Sequence, residues 1–299
     1  MLFINPYYGF SQFIKTQQKI YFISDVQLPM KLESVFLREY RNEEARDSLF
    51  TDMINQEPRS VFILGDLTSR GSDKKAWLSL DVFLKSLEKI NAVVYAIPGN
   101  HEYMGKSSAG MQMYSQRFLQ QSLYGYSVNI DSIAIVMLNS NYNEFSEKEL
   151  TTELAWYKTE MDLLDSNPAI KAIIVCTHHA PFSNSKIVGS SRFVQTTFLP
   201  LFEKSKKSKL FISGHSHNLE YFSDSLGKKY LVIGGGGGIS QALIPFNKRI
   251  YSDLLPQDSK PMFFYLVVEK NGNNLNLIAK GFKKDFRFFE LNIGNLKIN

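Results

Sequence analysis

The 299-residue chain reads as an α/β (α+β) protein whose strands deliver polar residues to one edge, and three observations predict this. Five short runs rich in β-branched and aromatic residues, Lys19–Ser24, Ser60–Leu64, Val93–Pro98, Ala172–Thr177 and Lys209–Ser213, have the length and composition of buried strands. Amphipathic stretches with helical spacing lie between several of them, the pattern of parallel strands joined by crossover helices. Each run then empties onto a turn carrying Asp, Asn or His: Asp25-Val26-Gln27, Gly65-Asp66, Gly99-Asn100-His101-Glu102, His178-His179 and Gly214-His215-Ser216-His217. Open α/β sheets build their sites outside the carboxyl ends of their strands, so the five turns are expected to share a crevice. The five histidines of the chain, His101, His178, His179, His215 and His217, all sit in these turns, whereas histidines placed for packing would scatter.

In chain order, residues 1–18 read as an irregular N-terminal extension pairing loosely with a sheet. Leu32 to Gln56 places Val35, Phe36, Leu49, Phe50, Met53 and Ile54 at helical spacings, with a break near Arg41-Asn42, and Pro58 closes the helix before the second strand. After the Asp66 turn, Ser72 or Asp73 is expected to cap a helix with Trp77, Leu80, Leu84 and Leu87 as its apolar stripe. Glu102 to Gln121 is too irregular for a helix and long enough to roof a site, the place where substrate choice is expected. Ile133–Leu138 reads as a buried strand. Ser146-Glu147-Lys148-Glu149 is a capping box opening a helix with Leu150, Leu154, Tyr157, Met161 and Leu164 on one face, ended by Asn167-Pro168. A further amphipathic stretch follows His178, through Phe193, Thr197, Leu201 and Phe202.

Past His217 the helices stop. Tyr230–Ile233, Met262–Val268, Leu275–Ala279 and Phe286–Leu291 read as strands, with a hairpin signal at Asn271-Gly272, so 218–299 is expected to be the mostly β flank of a second sheet. The run Gly234 to Gly238 either lets backbone approach a ligand closely or is a plain loop. Because the site turns span so much of the chain, 1–299 is expected to be a single domain.

Composition excludes several classes. No apolar run approaches the length of a transmembrane helix, and Met1–Phe10 lacks Lys and Arg and contains Pro6 and Gly9, which argues against a secretory signal and for a cytoplasmic location. Cys176 is the only cysteine, so no intrachain disulfide is possible. The formal charge of +5, from 34 Lys and Arg against 29 Asp and Glu, is not read as nucleic-acid binding: the dense run Lys204–Lys209 suits a solvated helix end, and no aromatic-basic interleaving accompanies it.

Chemically, Asn100 offers a hard neutral oxygen beside the imidazole of His101, so one turn can place a metal ligand next to a proton donor. Taken in order, Asp-x-Gln, Gly-Asp, Gly-Asn-His-Glu, His-x-x-Pro and Gly-His-x-His resemble the motifs of the calcineurin-like metallophosphoesterase superfamily, which includes purple acid phosphatases and phosphodiesterase-like dinuclear metallophosphatases. The matching blocks run from Asp25 to His217. The resemblance implies a four-layer α-β-β-α sandwich of two packed mixed sheets flanked by helices. It also implies two divalent metal ions, one held by Asp25, Gln27, Asp66 and His217 and the other by Asp66, Asn100, His178 and His215. Asp66 suits the bridging role because a carboxylate has two oxygens. A metal-bridging hydroxide would attack phosphorus in a phosphomonoester or phosphodiester, with His101 protonating the leaving oxygen or binding the phosphoryl group.

Two positions depart from the pattern. Gln27 stands where most relatives carry His, and its harder amide oxygen leans the site towards Mn or Fe, with Zn or Mg as alternatives. Ser69 replaces an acidic residue common at that position. In an extended segment only one of His178 and His179 can face the metals, and the family pattern selects His178; His179 then either binds substrate alongside Asn100 and His101 or packs. The competing readings are a nuclease or cyclic-nucleotide phosphodiesterase, and an interaction scaffold with a degraded site, which would need missing ligands where only Gln27 is substituted.

Overall fold

The computed structural model describes residues 13–14, 19–30, 33–256 and 259–298. Its first half runs β1 (Phe13–Ile14), β2 (Lys19–Ile23), α1 (Glu33–Phe36), α2 (Asn42–Asn55), β3 (Ser60–Leu64), α3 (Leu78–Lys89), β4 (Val93–Ile97), α4 (Asn100–Tyr103) and α5 (Ser107–Arg117). The middle adds β5 (Tyr126–Ile130), β6 (Ile133–Met137), α6 (Glu147–Ser166), β7 (Ala172–Cys176), α7 (Arg192–Thr197), α8 (Leu199–Lys204) and β8 (Ser208–Ser213). The rest is β9 (Leu219–Ser223), β10 (Lys229–Ile233), β11 (Phe263–Asn271), β12 (Asn274–Phe282) and β13 (Phe288–Lys297).

These strands make two mixed sheets, ordered β13-β12-β11-β2-β3-β4 and β1-β5-β6-β7-β8-β10-β9. Alternation along each strand decides the layers. Ile20 and Phe22 of β2 face β5–β8 across the gap between the sheets, while Tyr21 and Ile23 face outwards onto α2 and α3. On the far side, Ala134 and Val136 of β6 turn away from the gap and pack on α6, α7 and α8. The inner strands β3, β6 and β7 are covered on both faces, which is why they read as apolar runs, whereas β12 alternates between buried and half-buried residues and β13 is mostly exposed or half-buried. The expected four-layer α-β-β-α sandwich is the architecture found. Among the described residues no helix is long and apolar enough to cross a membrane.

Local signals place several boundaries. The helix expected from Leu32 to Gln56 is α1 and α2, separated where Arg41 adopts φ 58°; Leu32 itself and most of the 1–18 extension lie outside the described residues, and Phe13–Ile14 pairs in parallel with Asn129–Ile130. Ser146 caps α6 as the box predicts, its Oγ accepting from the Glu149 N–H while Glu149 accepts from the Ser146 N–H. The Asn271-Gly272 hairpin joins β11 to β12.

Other expectations are corrected. α3 begins at Leu78 rather than after Ser72 or Asp73: Asp73 only closes a turn by accepting from the Lys75 N–H, and Trp77 is pinned by its Nε1–H donating to Gly71 O at 2.8 Å. The stretch Glu102–Gln121 is not irregular but contains α5, whose Tyr114 is fully buried and donates its hydroxyl to Ala96 O. The late strands do not all flank one sheet: β9 and β10 join β8, while β11–β13 extend the sheet of β2.

Candidate metal centre

The five polar turns meet at the carboxyl ends of β2, β3, β4, β7 and β8. Main-chain bonds bind them together first: the Asp25 N–H donates to Gly65 O, and the Gln27 N–H to Asp66 O, both at 3.0 Å. Glu102 then clamps the second turn to the third. Its carboxylate accepts from the N–H groups of Asp66 (2.9 Å), Leu67 (2.9 Å), Thr68 (3.1 Å) and Gly99 (2.6 Å). Burial and the neighbouring Asp66 push this carboxyl up to about 8, against the opposite pull of those donors. Of the nine non-glycine residues with positive φ among those described, four are Asp25, Asp66, His215 and His217, so backbone strain concentrates where the polar side chains converge.

Asp66 Oδ2 occupies the middle. It lies 3.3 Å from Gln27 Nε2, 3.4 Å from His178 Nε2 and 3.8 Å from His101 Nε2. On one side His217 Nε2 is 3.2 Å from both Asp25 Oδ1 and Gln27 Nε2. On the other, His178 Nε2 is 3.1 Å from Asn100 Oδ1 and 3.2 Å from His215 Nδ1. Two clusters of atoms of the kinds that can ligate a metal therefore flank one carboxylate: Asp25, Gln27 and His217, and Asn100, His178 and His215. Asp25 also accepts the His215 N–H, tying the first turn to the last.

The rings are oriented by bonds behind them. His178 Nδ1 donates to Leu64 O (2.9 Å), His217 Nδ1 to Ile239 O (2.8 Å) and His101 Nδ1 to Ser69 O (2.8 Å). A carbonyl can only accept, so in each ring Nδ1 carries the hydrogen and Nε2 is turned towards the centre, the arrangement that prepares imidazole as a ligand. Burial opposes charge throughout, yet His178 and His101 hold the Asp66 carboxyl well below the usual range, and Asp66 in turn holds His178 up to about 9. The same negative field would draw a cation.

Gln27 supplies a direct test of fit. Its amide is buried, its Nε2 faces Asp66 and His217, and its Oε1 has no hydrogen-bond partner. An orphaned buried acceptor is costly, and a half-turn of the amide would aim that oxygen at the centre instead. The donor set thus suits a divalent cation on either side of Asp66.

All nine residues expected at the site, Asp25, Gln27, Asp66, Asn100, His101, His178, His179, His215 and His217, lie in this one region. His179 does not point away from His178 as strand alternation predicts. β7 ends at Cys176, so His178 and His179 lie past the strand and no longer alternate. The rings converge: His179 is 5.0 Å from His178 and 4.5 Å from His215 between centroids. Burial, with the charge of His178, pushes His179 down to about 3. Ser140 Oγ bonds both its Nδ1 and its N–H.

The glycine run is no plain loop. A methyl on Gly234 would meet the His217 nitrogen at 2.5 Å, and one on Gly238 would meet the His217 ring at 2.3 Å. Sequence reasoning missed the roles of Glu102 and Ser140. Glu102 stood inside the quoted tetrapeptide, but its four partners come from turns apart in the chain; Ser140 had no signal. Above the centre opens a cleft of about 350 Å³.

A model of the calcineurin-like phosphoesterase family matches residues 18–219. No curated protein matches the sequence. Similar solved structures include GAP50, the anchor in the inner membrane complex of Plasmodium, at 14% identity and TM-score 0.65, the alignment covering 94% of this chain and 89% of that one. A dimetal phosphatase from Danio rerio is 15% identical with TM-score 0.62, covering 92% and 99%. Purple acid phosphatase PPD1 from yellow lupin is 16% identical with TM-score 0.66; 91% of this chain spans about half of that one, 52%. At these identities the structures speak for the shared sandwich, and the family follows from the matched sequence, more than half of the chain: it belongs to the calcineurin-like phosphoesterases.

Proposed function

We propose that the chain is a metal-dependent phosphoesterase that hydrolyses phosphomonoesters or phosphodiesters in the cleft above Asp66. The observation that carries this reading is the two-sided set of oriented ligand atoms around Asp66 Oδ2, with the orphaned Gln27 oxygen beside it. Asp25, Gln27, Asp66 and His217 would hold one divalent cation, and Asp66, Asn100, His178 and His215 the other. When bound, two such cations supply positive charge for a phosphate and activate water as nucleophile. The amide oxygen of Gln27 in place of imidazole favours Mn or Fe over Zn.

His101 belongs to neither ligand cluster. With Nδ1–H committed to Ser69 O, its Nε2 is the position from which a proton reaches the leaving oxygen. Ser140 Oγ already accepts from the His179 N–H and can give its own proton to Nδ1, which leaves the His179 Nε2–H to bond a phosphoryl oxygen. Glu102 keeps Asp66 and Asn100 in register through the main chain, and the glycine run keeps His217 in place.

The test is chelation followed by re-addition of one metal at a time, with 4-nitrophenyl phosphate and bis(4-nitrophenyl) phosphate as substrates. Loss of activity on chelation and recovery with Mn or Fe is expected. A chain that binds two metals yet hydrolyses neither ester would support the scaffold reading instead.

A further inference from the structure

The cleft has two kinds of wall. Its floor is the metal centre, contributing Asp66, Asn100, His101, His215 and His217. Above the floor the side chains are aliphatic: Leu37, Ile187, Val188 and Ile239. Ile187 is 52% exposed although it borders a cleft, so the fold leaves its apolar surface uncovered. Beyond the centre the lining adds one charged side chain, Glu33, and one amide, Gln241; among the described residues no Lys or Arg contributes. A second anionic group on a ligand would meet Glu33 there.

The aliphatic wall is built rather than loose. Ser185 pairs antiparallel with Leu243, the Lys186 N–H donates to Ala242 O at 2.9 Å, and the Ile244 N–H donates to Asn184 O at 2.8 Å. Ser185 Oγ donates to Gln241 Oε1 and accepts the N–H groups of Ile187 and Val188, fixing the backbone that carries both side chains. Buried Glu220 anchors the loop from beneath, accepting from Ser183 Oγ and the Asn184 N–H. A wall held this firmly presents its apolar face without an ordering cost on binding.

We infer that the cleft selects phosphomonoesters of uncharged, apolar alcohols, with the alkyl or aryl group lying against Leu37, Ile187 and Val188 while the phosphoryl group sits at the floor. The inference rests on the phosphoesterase reading and names its substrate class. Water adds to phosphorus, the ester P–O bond breaks, and the alcohol leaves with a proton from His101. The volume, about 350 Å³, is at the low end for small-molecule sites and suits one organic group rather than a nucleic-acid strand.

The experiment uses the Mn-loaded full chain and a series of n-alkyl phosphates from methyl to octyl, with a nucleoside monophosphate for comparison. kcat/KM is expected to rise about fourfold for each methylene that reaches the wall. In Ile187→Ser/Val188→Ser the hexyl-to-methyl ratio should fall by about tenfold or more. A flat chain-length series, or preference for the nucleotide over hexyl phosphate, overturns the inference. If no ester is hydrolysed, calorimetric binding of the matching n-alkylphosphonates decides: affinity that rises with chain length in the wild type and not in the double variant supports the apolar wall, and affinity independent of length overturns it. Absent hydrolysis with length-dependent binding thus counts against catalysis alone.

Discussion

Gly238→Ala tests whether the glycine run exists to let His217 sit where it does. The added methyl would stand 2.3 Å from His217 Cε1, 2.6 Å from Nδ1 and 2.9 Å from Nε2. Carbon atoms in contact prefer about 3.5–4.0 Å, so ring and loop must separate by about 1 Å or more. Neither yields easily. The ring is held by its bond to Ile239 O (2.8 Å) and faces Asp25 at 3.2 Å. The loop is held by the Gly238 N–H donating to Asp25 O (3.0 Å) and by Asn42 Nδ2 donating to Gly237 O and Gly238 O. Forced overpacking costs about 1–3 kcal/mol, and a ligand displaced by about 1 Å lowers turnover by about a hundredfold. Denaturant titration reads the first quantity; metal content per chain and kcat on 4-nitrophenyl phosphate read the second. The expected result is loss of the metal on the His217 side with the other retained. Gly189→Ala, whose methyl meets nothing within 4 Å, is the stability control and should stay within about 0.5 kcal/mol of wild type. A Gly238→Ala chain with both metals and wild-type turnover would refute the reasoning.

Four further outcomes are expected. Gln27→His should shift metal preference towards Zn by replacing amide oxygen with imidazole nitrogen; unchanged relative activities with Mn and Zn would count against Gln27 as a ligand. Asp66→Asn should lower metal content more than Asp25→Asn, since Asp66 stands between both clusters, and the reverse order in elemental analysis would exclude it as the bridge. His101→Ala should keep both metals and lower kcat by about 10²–10⁴, with a smaller loss for nitrophenyl than for alkyl esters; a lost metal would overturn its role as proton donor. Glu153 is fully buried on α6, its Oε1 accepts the Asn139 N–H, its Oε2 has no partner, and burial holds its carboxyl well above the usual range. The folded chain therefore keeps a proton that the unfolded chain releases as pH rises past the ordinary carboxyl value, so this residue costs stability increasingly above that point. Glu153→Gln should raise the thermal midpoint at pH 8 and make little difference near pH 4; equal shifts at both would show that Glu153 is not titrating in this way.

Much of this molecule is written locally. Runs such as Ile133–Met137 and Ala172–Cys176 announce strands buried on both faces because their composition is apolar throughout, and Ser146 with Glu149 announces a helix start because both partners lie within one turn. The residues gathered around Asp66 were legible for the same reason: each of Asp25, Asn100, His178 and His215 follows closely on its own strand, and strand ends converge by the geometry of the sheets. Contacts that join distant turns were not legible. Glu102 looks like an ordinary acidic residue until Asp66, Leu67, Thr68 and Gly99 bring it their N–H groups. Periodicity tells which face of a strand is buried but not which strand lies beside it, so only the tertiary structure sent β9 and β10 to one sheet and β11–β13 to the other. The turn of His179 back towards His215 depends on β7 stopping at Cys176, and the need for glycine at 234 and 238 depends on where His217 lies. Residue type and spacing determined which chemistry was on offer; steric contact and hydrogen bonding across the packed sheets decided which groups can act together.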